Sequence, residues 1–89
     1  AVLNAKNAIV GIITDGDIRR MLSKSTTIES FTAKDIMGKN PKTILNDAMA
    51  VEALERLENN NITQISVTDL ENKYIGVAIL QKKSTIIFY

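Results

Sequence analysis

Gly11 and Gly76 are the fixed points of an internal repeat that limits this 89-residue chain to folds able to house one hairpin twice. At the offset of 65 that superimposes them, residues 1–24 pair with residues 66–89 without a gap. Val2 meets Val67, Asn7 meets Asn72, and Ile9-Val10-Gly11-Ile12 meets Tyr74-Ile75-Gly76-Val77. In the first copy the polar turn Asn4-Ala5-Lys6-Asn7 precedes the β-branched run Ala8 to Ile13, which reads as a buried strand. In the second, Gln64 to Thr68 and Lys73 to Leu80 read as strands joined by the turn Asp69-Leu70-Glu71-Asn72.

Beyond the hairpin the copies diverge. Thr14-Asp15-Gly16-Asp17 is a helix-start signature, with a hydroxyl cap, acids in the first turn and an acid three residues after the cap. It predicts a helix from Asp15 to about Lys24, with Ile18, Met21 and Leu22 as the apolar stripe. The second copy has Ile79 and Lys82 where the first has Thr14 and Asp17. Its tail, Ser84-Thr85-Ile86-Ile87-Phe88-Tyr89, is a β-prone run that either extends a strand or packs in the core. Left exposed, it is an association edge.

Between the copies, Ser23 to Thr32 reads as a linker. Ala33 to Met37 reads as a helical turn before Gly38-Lys39-Asn40-Pro41, and Lys42-Thr43-Ile44 as a short strand. Asp47 is then expected to cap a helix with Ala50, Val51, Leu54 and Leu57 inward and Glu52, Glu55, Arg56 and Glu58 outward. Asn59-Asn60-Asn61 ends it, because Asn tolerates the left-handed conformation that stops a helix.

Composition removes several function classes. With 11 basic and 10 acidic residues the net charge is +1, and Lys82-Lys83 is too short a basic cluster to serve a nucleic acid. Without Cys there are no disulfides or thiolate metal sites, and without His the commonest general base and metal ligand are missing. Spaced as a solvated helix face, Glu52, Glu55 and Glu58 have no nucleophile beside them. No apolar run reaches the roughly 18–20 residues that span a bilayer, and no signal-peptide pattern opens the chain. The expected setting is cytoplasmic, with no membrane or nucleic-acid partner and no metal or cofactor.

Several stretches carry a resemblance. Gly11-Ile12-Ile13-Thr14-Asp15-Gly16-Asp17-Ile18-Arg19-Arg20 resembles the end of one CBS motif, and Ile36-Met37-Gly38-Lys39-Asn40-Pro41-Lys42-Thr43-Ile44 the start of a second. Asp47 to Glu55, followed by Asn61-Ile62-Thr63-Gln64-Ile65, is similar to the CBS pair of the arabinose 5-phosphate isomerase family. A like Thr-Asp-Gly-Asp-Ile-Arg-Arg stretch also occurs in CBS pairs attached to sugar nucleotidyltransferases.

The resemblance implies an α+β fold of βαββα repeats, with small three-stranded sheets packed with helices and an incomplete first repeat. Residues 1–24 are then the second half of one motif, 25–33 a linker, and 34–89 a second motif with an atypical tail. It further implies a regulatory module without catalytic machinery, attached to a sugar isomerase domain. That domain interconverts ribulose 5-phosphate and arabinose 5-phosphate on the route to Kdo and lipopolysaccharide. The module would sense AMP, ATP or CMP-Kdo and form a homo-oligomer through CBS pairing. A non-binding oligomerisation scaffold is the competing reading.

The implied site residues are specific. Thr14 and Asp17 match the family's Thr-x-x-Asp element, with the carboxylate on ribose hydroxyls and the Thr hydroxyl on phosphate. Asp15 and Gly16 lie between them, Gly16 permitting close approach at a helix N-terminus. Arg19 and Arg20 add charge-assisted contacts to phosphate or a Kdo carboxylate. Pro41, Thr43 and Gln64 would line a base pocket in the second repeat. Read from the spacing alone, Thr14 and Asp17 are first of all a helix cap that needs no ligand.

Overall fold

The computed structural model describes residues 1–24, 28–82 and 85–89. The chain forms two compact units, Ala1–Pro41 and Lys42–Tyr89.

The first unit begins with the expected hairpin. β1 (Val2–Leu3) pairs antiparallel with β2 (Ile9–Ile12) across the Asn4–Asn7 turn. Asn4 holds that turn, its Oδ1 accepting from the N–H of Lys6 at 2.9 Å and of Ala8 at 3.0 Å. Asn7 takes a left-handed φ of 67°. The helix α1 (Asp15–Lys24) has the predicted bounds. Its stripe, however, is only partly covered: Met21 is buried, while Ile18 and Leu22 are exposed.

Ser23 and Lys24 close this helix, as its predicted bounds require, and Ser23 Oγ donates to the Arg20 carbonyl at 2.8 Å. Residues 25–27 of the expected linker lie outside the described residues, and Ile28–Ser30 forms a 3-10 turn. The predicted helical turn is α2 (Ala33–Ile36), started by a second Thr-x-x-Asp box between Thr32 and Asp35. The sequence reading missed β3 (Gly38–Lys39), which pairs antiparallel with β2 to complete a three-stranded sheet ordered β1-β2-β3. A two-residue strand carries no period, so only its partner defines it.

The second unit holds most of the core. β4 (Thr43–Leu45) runs parallel to β5 (Gln64–Thr68), which pairs antiparallel with β6 (Tyr74–Lys82). Between β4 and β5 runs α3 (Ala50–Asn59). Ile44, Ala53, Leu57, Ile65 and Ala78 are buried together, with Ala48, Ile62, Val67, Leu80 and Ile86 packed against them. The expected helix face is corrected here: Ala53 and Leu57 point inward, whereas Ala50 and Val51 are exposed. Asp47 is not the cap either, since Met49 occupies that position and makes no side-chain cap bond.

The asparagine stop holds. Asn61 has φ 53°, its N–H donates to the Glu58 carbonyl at 3.2 Å, and the Ile62 N–H donates to Leu57 at 3.0 Å. This is a Schellman ending, completed by Ile62 packing on the cluster that contains Leu57.

The tail extends the sheet. β7 (Thr85–Phe88) pairs antiparallel with β6, giving a four-stranded sheet ordered β4-β5-β6-β7. Lys83 and Ser84, between these strands, lie outside the described residues. The architecture is the expected α+β arrangement of small sheets packed with helices, with the tail adding a fourth strand to the second sheet. Among the described residues no helix is long and apolar enough to cross a membrane.

Candidate functional site

The Thr14–Arg20 segment sits where β2 gives way to α1, and its side chains are organised by the helix start. The Thr14 N–H donates to Asp17 Oδ2 at 2.9 Å, and the Asp17 N–H donates back to Thr14 Oγ1 at 3.3 Å. The Thr14 hydroxyl also donates to Asp17 Oδ2 at 3.1 Å. Arg20 reaches back one turn to pair with Asp17 Oδ1. The Thr14 N–H holds the Asp17 carboxyl below its ordinary pKa, with the Thr14 hydroxyl and the Arg20 guanidinium adding to the effect against a smaller penalty from desolvation. Asp17 is therefore an ionised acceptor across the neutral range.

Gly16 is required by neither packing nor strain. No glycine has a positive φ, and a Cβ at Gly16 would lie 3.4 Å from Arg20 Nη1 and 3.6 Å from Thr14 Oγ1, ordinary contact distances. The Arg20 guanidinium borders the space a side chain there would take, and Gly16 is itself partly buried. Asp15 and Arg19 are exposed on the same helix.

A cleft of about 190 Å³ adjoins this start, lined by Asp17, Arg20, Met21, Lys24, Phe31, Asp35 and Ile36. It combines two cations, two carboxylates and an apolar wall. Of these, the sequence reading named only Asp17 and Arg20 as site residues. Lys24 was legible, one turn beyond Arg20 on the same helix. Phe31 and Asp35 come to the cleft only because α2 packs against α1.

The other predicted residues lie apart from this cluster. Pro41 is half-buried at the end of the first unit, and Thr43 and Gln64 belong to the second. Thr43 shares a cleft of about 310 Å³ with Leu45, Asp47, Ala48, Glu52 and Arg56. There its carbonyl accepts from Arg56 Nη1 at 2.6 Å, and Arg56 also faces Glu52 at 3.7 Å. Gln64 is exposed at the start of β5 and is not among that cleft's lining residues.

The second copy of the repeat has no counterpart of the helix start. Ile79 and Lys82 lie within β6, opposite Ile87 and Thr85 of β7. Replacing Thr14-Asp15-Gly16-Asp17 by Ile79-Leu80-Gln81-Lys82 removes the capping side chains, and the strand continues where β2 stops.

The CBS domain family model matches residues 33–79. Arabinose 5-phosphate isomerase KpsF of Escherichia coli is 37% identical over 76 residues, covering 85% of this chain and 23% of that protein. KdsD of Francisella tularensis, with the same enzyme name, is 36% identical over 74 residues, covering 83% of this chain and 23% of its own length. The chain thus spans about a quarter of these curated relatives. Among solved structures, Methanocaldococcus jannaschii MJ1225, described as a putative archaeal homolog of g-AMPK, superposes with a TM-score of 0.75 at 26% identity. That match covers 88% of this chain and 34% of MJ1225. The CBS domain pair of protein MJ0100, crystallised with 5′-methylthioadenosine and S-adenosyl-L-methionine, gives 0.70 at 25% identity, covering 86% of this chain and 61% of that one.

Proposed function

Because this chain belongs to the CBS-domain family, we propose that it is a regulatory module that senses a nucleotide or nucleotide-sugar and modulates an attached arabinose 5-phosphate isomerase. The observation that carries this reading is the ionised Asp17 carboxylate beside Arg20 and Lys24 at a cleft walled by Phe31, Met21 and Ile36. An adenine nucleotide or CMP-Kdo needs those three chemistries together: an acceptor for ribose hydroxyls, cations for phosphate or sugar carboxylate, and an apolar wall for a base. At about 190 Å³ the cleft is smaller than the roughly 300 Å³ at which drug-sized pockets begin. It would take one moiety of the ligand and leave the rest outside the cleft. The nucleosides held by the MJ0100 pair and the isomerase identity of the relatives support the same reading.

Regulation follows only if the ligand prefers one of two states of the attached enzyme, since equal affinity shifts nothing. The module itself supplies no catalysis in this reading, and its setting is cytoplasmic. The scaffold reading has one observation in its favour. Thr14 and Asp17 already satisfy each other, so a ligand must displace the Arg20 contact to reach the carboxylate.

Calorimetry and thermal shift against AMP, ATP, CMP and CMP-Kdo test the proposal. A ligand at 100 times its dissociation constant stabilises the fold by about 2.7 kcal/mol. Arg20→Ala, which leaves the Thr14–Asp17 cap in place, should abolish that gain. No response to any of these ligands, from this chain or from the full isomerase, leaves the scaffold reading.

A further inference from the structure

The free edge of β7 differs chemically from the edge at the other side of its sheet. On β4 the Thr43 carbonyl is occupied by Arg56. On β7, the Tyr89 N–H donates to Val77 at 2.8 Å and the Val77 N–H donates back at 3.2 Å, so Tyr89 spends both backbone groups on β6. An antiparallel ladder alternates, so Ile87, opposite Ile79, also turns its backbone groups to β6. The N–H and C=O groups of Ile86 and Phe88 therefore point out of the sheet.

This edge lacks two of the devices that ordinarily block strand pairing, a charged side chain and a proline, although the strand is only four residues long and faces a register irregularity between Leu80 and Lys82 of β6. Thr85-Ile86-Ile87-Phe88-Tyr89 contains no charged side chain and no proline. Ile86 lies across from Leu80 and packs on the core, and Phe88 lies across from Ala78 on the same face. Yet Phe88 remains 53% exposed.

We propose that this edge binds a second copy of the chain, β7 against β7, antiparallel, about a two-fold axis at Ile87. In this register Ile86 of one copy stands opposite Phe88 of the other, and each such pair exchanges both outward N–H···O bonds. The same pairing sets the exposed Phe88 beside an Ile86 on the core face, an aromatic–β-branched cross-strand contact. Ile87 meets its own counterpart in a non-hydrogen-bonded pair, with Cα atoms about 4.5 Å apart. The occupant is a second copy because the strand is complementary to itself. Apolar residues flank the axis symmetrically, no side chain of the strand is charged to select a charged partner, and a two-fold contact matches every group with its equivalent. The proposal is independent of ligand sensing by the first unit.

Sedimentation equilibrium on the 89-residue chain tests it with three variants, each checked for retained fold by far-UV circular dichroism. Phe88→Pro removes an N–H that points away from β6, sparing the existing ladder. Ile87→Lys and Ile87→Glu each place like charges across the axis. The expected result is a concentration-dependent dimer whose dissociation constant rises at least about tenfold, or about 1.4 kcal/mol, in each variant. Mixing Ile87→Lys with Ile87→Glu should restore a heterodimer, because the charges then oppose. A monomeric parent chain, a dimer undiminished in all three variants, or no recovery on mixing would overturn the proposal.

Discussion

Asn7 and Asn72 close the two hairpins in the same left-handed conformation, with φ of 67° and 63°. The Asn7 N–H donates to Asn4 at 3.0 Å and the Asn72 N–H to Asp69 at 3.1 Å. Asn4 Oδ1 accepts from residues two and four ahead, and Asp69 Oδ1 does the same from Glu71 and Lys73. The turns are thus one hydrogen-bonded unit built twice at the repeat offset. A β-carbon is strained in this region by about 1–2 kcal/mol, a cost that Asn tolerates and Gly avoids. Asn7→Val and Asn72→Val should each lower stability by about 1–2 kcal/mol in urea titrations, more than Asn7→Gly and Asn72→Gly.

The reciprocal box between Thr14 and Asp17 should behave as a helix cap whether or not a ligand binds. Thr14→Ala is expected to cost about 1 kcal/mol of unfolding free energy. In a double-mutant cycle with Asp17→Ala, the two losses should be markedly less than additive, since both remove the same bonds.

Asp17 and Asp35 give that box and its copy at Thr32 a pH signature. Both carboxyls are held below their ordinary value of 3.8, each chiefly by the backbone N–H of its Thr partner. A lowered folded pKa adds stability that is fully present above the unfolded value and is lost as pH falls through the folded one. Unfolding curves between about pH 5 and pH 2 should therefore show stability declining below the ordinary value, with net proton uptake on unfolding. Asp17→Asn and Asp35→Asn together should flatten that decline.

Gly11 admits β3 beside the first hairpin, and Gly76 admits β7 beside the second. A Cβ on Gly11 would overlap Met37 Sδ and lie 2.9 Å from the Gly38 carbonyl, and one on Gly76 would overlap the Tyr89 carbonyl. Gly11→Ala should expose the amides of β3 to hydrogen exchange, and Gly76→Ala those of β7, with the remaining ladders retained. Gly16→Ala, with room for its methyl, should change exchange little.

Core truncations should separate the two helices. Leu57 is wholly buried, so Leu57→Ala is expected to cost about 2–5 kcal/mol. Leu22 is 53% exposed, so Leu22→Ala should stay within about 0.5 kcal/mol in chemical denaturation.

Local chemistry determined most of the elements from sequence. The Asn4–Asn7 and Asp69–Asn72 turns, the Thr14 helix start and the Asn61 stop each draw their geometry from residues within a few positions, so each is legible without the rest of the chain. The repeat at Gly11 and Gly76 likewise foretold two hairpins. Tertiary structure decided which faces are covered: Ile18 and Leu22 continue a proper apolar stripe yet stay exposed, and Ala53 rather than Val51 turns to the core. It also decided that Gly38-Lys39 is a strand and that the Thr85–Phe88 run pairs with β6. Strand pairing and cleft walls join residues remote along the chain, as Phe31 and Asp35 join Asp17 and Arg20. Periodicity records where a side chain points, but only the folded partner determines what it meets.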